Sequence, residues 1–184
     1  MQPAYLPLSP DEKPTVALRA LEPEDLDFLY ALENDQTIWA ISDTLAPISR
    51  HALREYLRHA AADLHEVRQL RLVVDSVDWG QSVGVVDLFD FDPRHQRAGV
   101  GITIRTSERR RGYAWHTLNL LKAYARDVLH LHQLYCTVAA DNQASLNLFK
   151  KSGFRRIGVR QDWLRGNTSS GWINAVELQI ILSA

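Results

Sequence analysis

The chain has 184 residues, 46% hydrophobic and 23% charged, which fits one globular domain and excludes extensive disorder. Its 21 Lys and Arg balance 22 Asp and Glu, so the formal net charge is -1 and the basic excess of a general nucleic-acid binder is missing. The one cysteine, Cys136, excludes an internal disulfide and any multi-cysteine metal site.

Residues 1–13, with Pro3, Pro7 and Pro10, read as an extended tail, and residues 14–184 as a single domain. Thr15 to Arg19 reads as a short strand. Pro23 opens a helix whose Leu26, Leu29, Tyr30 and Leu32 form an apolar stripe. A polar linker is expected over residues 34–47. Ser49 then caps a second helix, with Leu53, Tyr56, Leu57, Ala60 and Leu64 on one side. Three strands follow, over residues 69–75, 81–91 and 99–106, separated by short turns. Gly112 to Leu131 reads as a long helix with Leu118, Leu121, Ala125, Val128 and Leu129 facing the core. A strand over residues 133–139 leads to a shorter helix, Asn142 to Lys151, closed by Gly153. Strands at 154–159 and 175–182 end the chain. The predicted order is β-α-α-β-β-β-α-β-α-β-β, an α/β (α+β) fold in which a meander runs into a βαβαβ unit.

Arg109-Arg110-Arg111-Gly112-Tyr113-Ala114 lies between a predicted strand and the long helix. A helix N-terminus offers unpaired N–H groups and the positive end of a dipole, which suits a phosphate. Gly112 lets backbone approach such a group closely, Ala114 keeps the helix start narrow, and the arginines add charge. Charge runs more often form solvated surface, so the surrounding pattern has to decide.

That pattern resembles the GNAT superfamily of N-acetyltransferases. RxxGxA after a meander strand is similar to the family's coenzyme A loop, Q/R-x-x-G-x-G/A. LHQLYCTVAADNQASLNLFKKSGF is similar to the strand, Asn, helix and GF pair that follow it, through Asn142, Ser145, Phe149, Gly153 and Phe154. FDPRHQRAGVGITI resembles the strand-turn-strand of the spermidine and ribosomal-protein acetyltransferase branches. Three landmarks in the right order over residues 15 to 182 make the resemblance specific. It implies a mixed, mostly antiparallel sheet with helices on both faces, and acetyl-CoA as co-substrate. It also implies that the backbone of Ile102, Thr103, Ile104, Arg105 and Thr106 runs beside the pantetheine arm. The amides of Arg110, Arg111, Gly112, Tyr113, Ala114 and Trp115 would hold the pyrophosphate, with Arg109 supporting the loop. Asn142 would contact pantetheine, and Phe149 would pack on the cofactor.

Acetyl transfer needs a neutral amine, donors for the thioester oxygen and a proton for the leaving thiolate. Many family members place a Tyr where Phe149 stands, and a phenyl ring has no proton to give. Some carry a Glu in the strand before the loop, where this chain has Gly99, Gly101 and Thr103. Ser145, one turn before Phe149, is the candidate proton donor, although a helix-surface serine is an equal reading. Asp87 is the candidate proton acceptor, because Asp87 and Asp90 lie on one strand and one of them should face the sheet opening. Cys136 reads as core. Trp39, Trp163 and Trp172 fall in expected linkers, where they could line an acceptor pocket.

The seven histidines form no ligand set, so no metal is expected. No apolar run reaches membrane-spanning length, and residues 1–8 lack the pattern of a secretory signal, so a cytoplasmic protein is expected. The expected partner is a small-molecule amine, with neither nucleic acid nor membrane, and a homo-oligomer stays open. Three functions remain: an N-acetyltransferase of a polyamine such as spermidine or spermine, one of a protein N-terminus or lysine, and a non-catalytic acyl-CoA-binding domain.

Overall fold

The computed structural model describes residues 15–39, 44–60, 64–166 and 171–182; the expected N-terminal tail and the loop residues 167–170 lie outside them. Its centre is a seven-stranded sheet in the order β1-β2-β3-β4-β5-β7-β6, with β1 Val16–Arg19, β2 Leu70–Ser76, β3 Gln81–Asp92, β4 Arg97–Ile104, β5 Gln133–Ala139, β6 Arg155–Arg165 and β7 Trp172–Ile181. Neighbours pair antiparallel except β4 with β5, which are parallel. The meander and the βαβαβ unit are therefore both present.

A 3₁₀ turn at Pro23–Asp25 leads into α1 Leu26–Glu33. The expected polar linker contains a short helix, α2 Gln36–Trp39. Ser49 Oγ accepts from Ala52 N–H at 3.1 Å and starts α3 Arg50–Arg58. That helix stops earlier than its apolar spacing implies, and Leu64 instead opens α4 Leu64–Val67. The long helix α5 spans Tyr113–Asp127 and also ends short. His130 is left-handed (φ 51°) and Leu131 N–H returns to Ala125, so the chain leaves the helix and exposes Val128. The short helix α6 is Gln143–Lys151, and Gly153 behind it is left-handed (φ 93°). β6 and β7 run further than expected and meet at Arg165 and Trp172. Trp163 and Trp172 thus sit on strands rather than in linkers, as aromatic residues in a pleated hairpin can.

The two faces of the sheet differ. Val86 and Leu88 of β3, Val100 and Ile104 of β4, Leu134, Cys136 and Val138 of β5, and Val176 and Leu178 of β7 share the back face. Against them lie Leu118, Leu120 and Leu121 of α5, together with Phe149 and Phe154. Each fully buried leucine contributes about 1.5–3 kcal/mol, so this packing firmly fixes where α5 begins. On the front face, Leu29, Leu32, Ile38 and Leu53 from α1, α2 and α3 cover Val85. Among the described residues, no helix is long and apolar enough to cross a membrane.

Candidate active site

β4 and β5 stay together for three residues only, with Arg97, Ala98 and Gly99 against Gln133, Leu134 and Tyr135. β4 then continues to Ile104 and β5 to Ala139 without pairing to each other. Their carboxyl ends splay, leaving backbone groups that a continuous sheet would pair facing a gap. The period of two identifies those groups. Arg105 N–H donates to Val83 C=O, so Thr103 and Gly101 also turn toward β3, while Ile102 and Ile104 turn toward the gap. The Ile104 carbonyl accepts from Arg109 Nε at 3.1 Å. Of the five backbone positions expected beside the pantetheine arm, Ile102 and Ile104 therefore face the gap. Thr103 and Arg105 face away from it, and the Thr106 hydroxyl is bonded to Asp35 at 3.1 Å, in the loop beyond β4.

The chain next enters the arginine-glycine loop. Arg110 (φ 64°) and Gly112 (φ 85°) are both left-handed, which is free of steric penalty for glycine and costs about 1–2 kcal/mol at Arg110. Trp115 and His116 N–H both donate to the Gly112 carbonyl, at 3.0 and 3.1 Å, closing the first turn of α5. Residues 110 to 114 are left as consecutive N–H donors with no protein acceptor among the described residues. They sit at the positive end of a fifteen-residue helix. Trp115 was expected among these donors, but its amide is committed to the helix. Two of the three arginines are also engaged: Arg109 on Ile104, and Arg111 with Glu108 at 3.2 Å. Arg110 is exposed and has no protein partner among the described residues.

α6 starts at the carboxyl end of β5. Asn142 Oδ1 accepts from Ser145 N–H at 3.1 Å and caps the helix, so this oxygen is occupied and the amide nitrogen is free to donate. Ser145 is half-buried, and its hydroxyl has no partner among the described residues. Phe149 is buried with its ring edge-on to Phe154, centroids 5.0 Å apart. It was expected against the cofactor, and the structure places it in the back-face core.

The front face beside the gap is polar. Register places Arg71, Asp87, Gly101 and Thr103 there, with Phe89, Gly99, Tyr135, Thr137, Glu177 and Gln179. Asp87 does face this opening. Both its oxygens accept from Arg71, at 2.7 and 3.1 Å, and Arg71 also donates to Glu33 at 2.6 Å. Burial disfavours the Arg71 charge, but Asp87 and Glu33 outweigh it and raise its pKa. Both Asp87 oxygens are thus engaged in a bidentate pair, which suits a charge anchor better than a free proton acceptor. Asp90 lies at a bulge (φ 49°) and accepts from Tyr135 O–H at 3.3 Å. Burial, and then Asp90, push the Tyr135 phenol up, so it stays protonated. Glu177 accepts from Thr137 at 3.0 Å and pairs with Arg160 at 2.9 Å. Gly99 lies under the Phe89 ring: a Cβ there would be 2.2 Å from it.

Trp39 donates its indole N–H to the Glu33 carbonyl, and Trp163 and Trp172 lie under Arg160 and Arg165. Cys136 is buried, with its thiol pushed up to about 12. Among the described residues, no three His, Cys, Asp or Glu side chains are grouped as a metal would need. Sequence reasoning missed the Glu33–Arg71–Asp87 cluster. Its signal was a lone arginine between Leu70 and Leu72, opposite an aspartate on the next strand.

Residues 15–155 match the acetyltransferase (GNAT) domain family. A spermidine N(1)-acetyltransferase of Vibrio cholerae is 29% identical over 144 residues, 78% of this chain and 80% of that one. One from Escherichia coli K12 is 29% identical over 143 residues, covering 76% and 73%. The solved structure of a Vibrio cholerae spermidine N-acetyltransferase with CoA and spermine superposes with a TM-score of 0.82 at 26% identity, covering 92% of this chain and 97% of that one.

Proposed function

The chain belongs to the GNAT acetyltransferase family, and we propose that it moves the acetyl group of acetyl-CoA onto a primary amine of a polyamine such as spermidine or spermine. The observation that carries the polyamine reading is the similarity to two spermidine N(1)-acetyltransferases across three quarters of the chain. The site is chemically consistent with it. The free amides of residues 110 to 114 and the Arg110 guanidinium match a diphosphate, and the β4 groups facing the gap match the amides of a pantetheine arm. Glu33, Asp87, Asp90 and Glu177 give the front face carboxylates for a cationic chain, while the Phe89 and Tyr135 rings offer apolar surface to its methylenes.

The neutral amine attacks the thioester carbonyl carbon. The C–N bond forms, the C–S bond breaks, and the oxygen is stabilised by backbone N–H groups on the gap side of β4, Ile102 first among them. The proton released by the amine passes to water on the carboxylate-lined front face. The thiolate takes a proton from solvent or from Ser145, since Phe149 has none to give. Holding the two reactants together supplies a further large part of the acceleration.

The test is thiol release from acetyl-CoA with spermine, spermidine, an unblocked peptide and a lysine peptide. Polyamines should show kcat/KM at least about tenfold above either peptide, a difference of roughly 1.4 kcal/mol in transition-state binding. Equal or faster turnover of a peptide would overturn the acceptor assignment. In parallel, Ser145→Ala should lower kcat more than it alters the acetyl-CoA KM; unchanged kcat at every pH would leave solvent as the donor.

A further inference from the structure

The loop of residues 109–114 combines two left-handed residues with consecutive unpaired donors, an arrangement that isolated backbone would not hold. Something must therefore fix it from outside. On its upstream side, Arg109 Nε reaches back to the Ile104 carbonyl. On its downstream side stands Tyr113, the first residue of α5. Its side chain is buried, 5% exposed, and its hydroxyl lies 3.2 Å from that of Ser76, which is 1% exposed at the end of β2. Each of these hydroxyls is the other's hydrogen-bond partner.

We infer that Tyr113 is a positioning residue for coenzyme binding: its phenol, bonded to Ser76, ties the last turn of the donor loop to the meander and holds the free amides in place. The inference rests on the reading of this loop as the pyrophosphate site. A phenol bonded at its far end carries a directional constraint that a phenyl ring of the same shape lacks. Ring burial alone fixes depth in the core; the hydrogen bond fixes rotation of the first helical turn about its axis. Because Ser76 is in the strand beside β1 and Tyr113 follows β4, the strap spans the meander whose last strand, β4, forms one rim of the gap. Residues at the motif's variable position are thus given a side-chain task as well as an amide.

The test is calorimetric binding of CoA to the full chain, with thermal melts and acceptor kinetics alongside. Tyr113→Phe and Ser76→Ala should each weaken CoA about three- to tenfold, the size of one lost hydrogen bond, with the acceptor KM unchanged. The double variant should regain melting temperature, because no buried hydroxyl is then orphaned, yet remain as weak for CoA as either single variant. A strictly structural bond would instead let affinity recover with stability, and that result overturns the inference. Gly112→Val, with Gly112→Ala as a milder substitute should the first not fold, distinguishes the two levels. If Gly112 variants weaken CoA and Tyr113→Phe does not, the strap is wrong and the loop assignment stands. If neither weakens CoA, the loop assignment itself fails.

Discussion

Placing a methyl group at residue 99 is expected to unsettle the front face out of proportion to its size. A Cβ built there would lie 2.2, 2.5 and 2.7 Å from three atoms of the Phe89 ring, where carbon atoms in contact sit about 3.5–4 Å apart. The ring must retreat by about 1 Å or more. It is not free to do so, because Tyr135 stands edge-on to it with centroids 6.2 Å apart, and Tyr135 is itself bonded to Asp90. Overpacking of this kind costs about 1–3 kcal/mol. For a domain of this size each kcal/mol moves the melting temperature by roughly 2–4 °C, so Gly99→Ala should lower it by roughly 2–12 °C. In a Phe89→Ala background the same substitution should cost less than about 0.5 kcal/mol, giving a coupling well outside additivity. Urea and thermal denaturation of wild type, both single variants and the double variant measure this directly. An unchanged Gly99→Ala melting temperature, or an equal loss in both backgrounds, would refute the argument. The same geometry leaves no room for a carboxylate side chain at residue 99, because Phe89 occupies its space.

Two further predictions concern ionisation. Burial pushes the Cys136 thiol up to about 12, so at pH 8 iodoacetamide should leave the native protein unlabelled and modify one thiol per chain in urea; stoichiometric labelling of the folded protein would contradict this. Burial alone would raise the Asp25 carboxyl, but hydrogen bonds from Arg19 and from Glu22 N–H outweigh it and hold the carboxyl below its usual range. Its folded-state pKa is depressed, so its contribution is complete above the ordinary carboxyl value of about 3.9 and lost as pH falls through the lower folded one. The gap in stability between wild type and Asp25→Asn should therefore be widest near neutrality and close in acid; a gap independent of pH would refute the role of the pair.

The elements and their order along the chain were legible because the strands alternate or run apolar between clear turns, and because Pro23, Ser49 and Gly153 punctuate the helices. Helix ends were less so. α5 stops at Asp127 because His130 turns left-handed, and nothing in the composition of 128–131 announces that turn. The coenzyme loop was legible as a motif, but its division of labour was not. Trp115 N–H is used by the helix, Arg111 by Glu108, and the Asn142 oxygen by its own helix cap. Side-chain facing on short helices was the weakest inference. Phe149 fits the pattern of a cofactor contact by position, yet edge-on packing against Phe154 turns it inward. The reading that one of Asp87 and Asp90 faces the opening carried no sign of Arg71, which is adjacent to Asp87 only once β2 and β3 are in register.

The short seam between β4 and β5 makes this sheet two rafts rather than one. β1 to β4 form one, β5, β7 and β6 the other, and three residue pairs join them along the strand edges. The back-face core under α5 and α6 and, on the front, the contacts of Tyr135 with Phe89 and Asp90 complete the joint. A molecule lying in the gap and bonding to both rims would act as mortar, adding cohesion between the rafts that grows with the logarithm of its concentration over its Kd. The binding cleft is thus also the line along which the architecture is most divisible, and occupancy and integrity become one quantity.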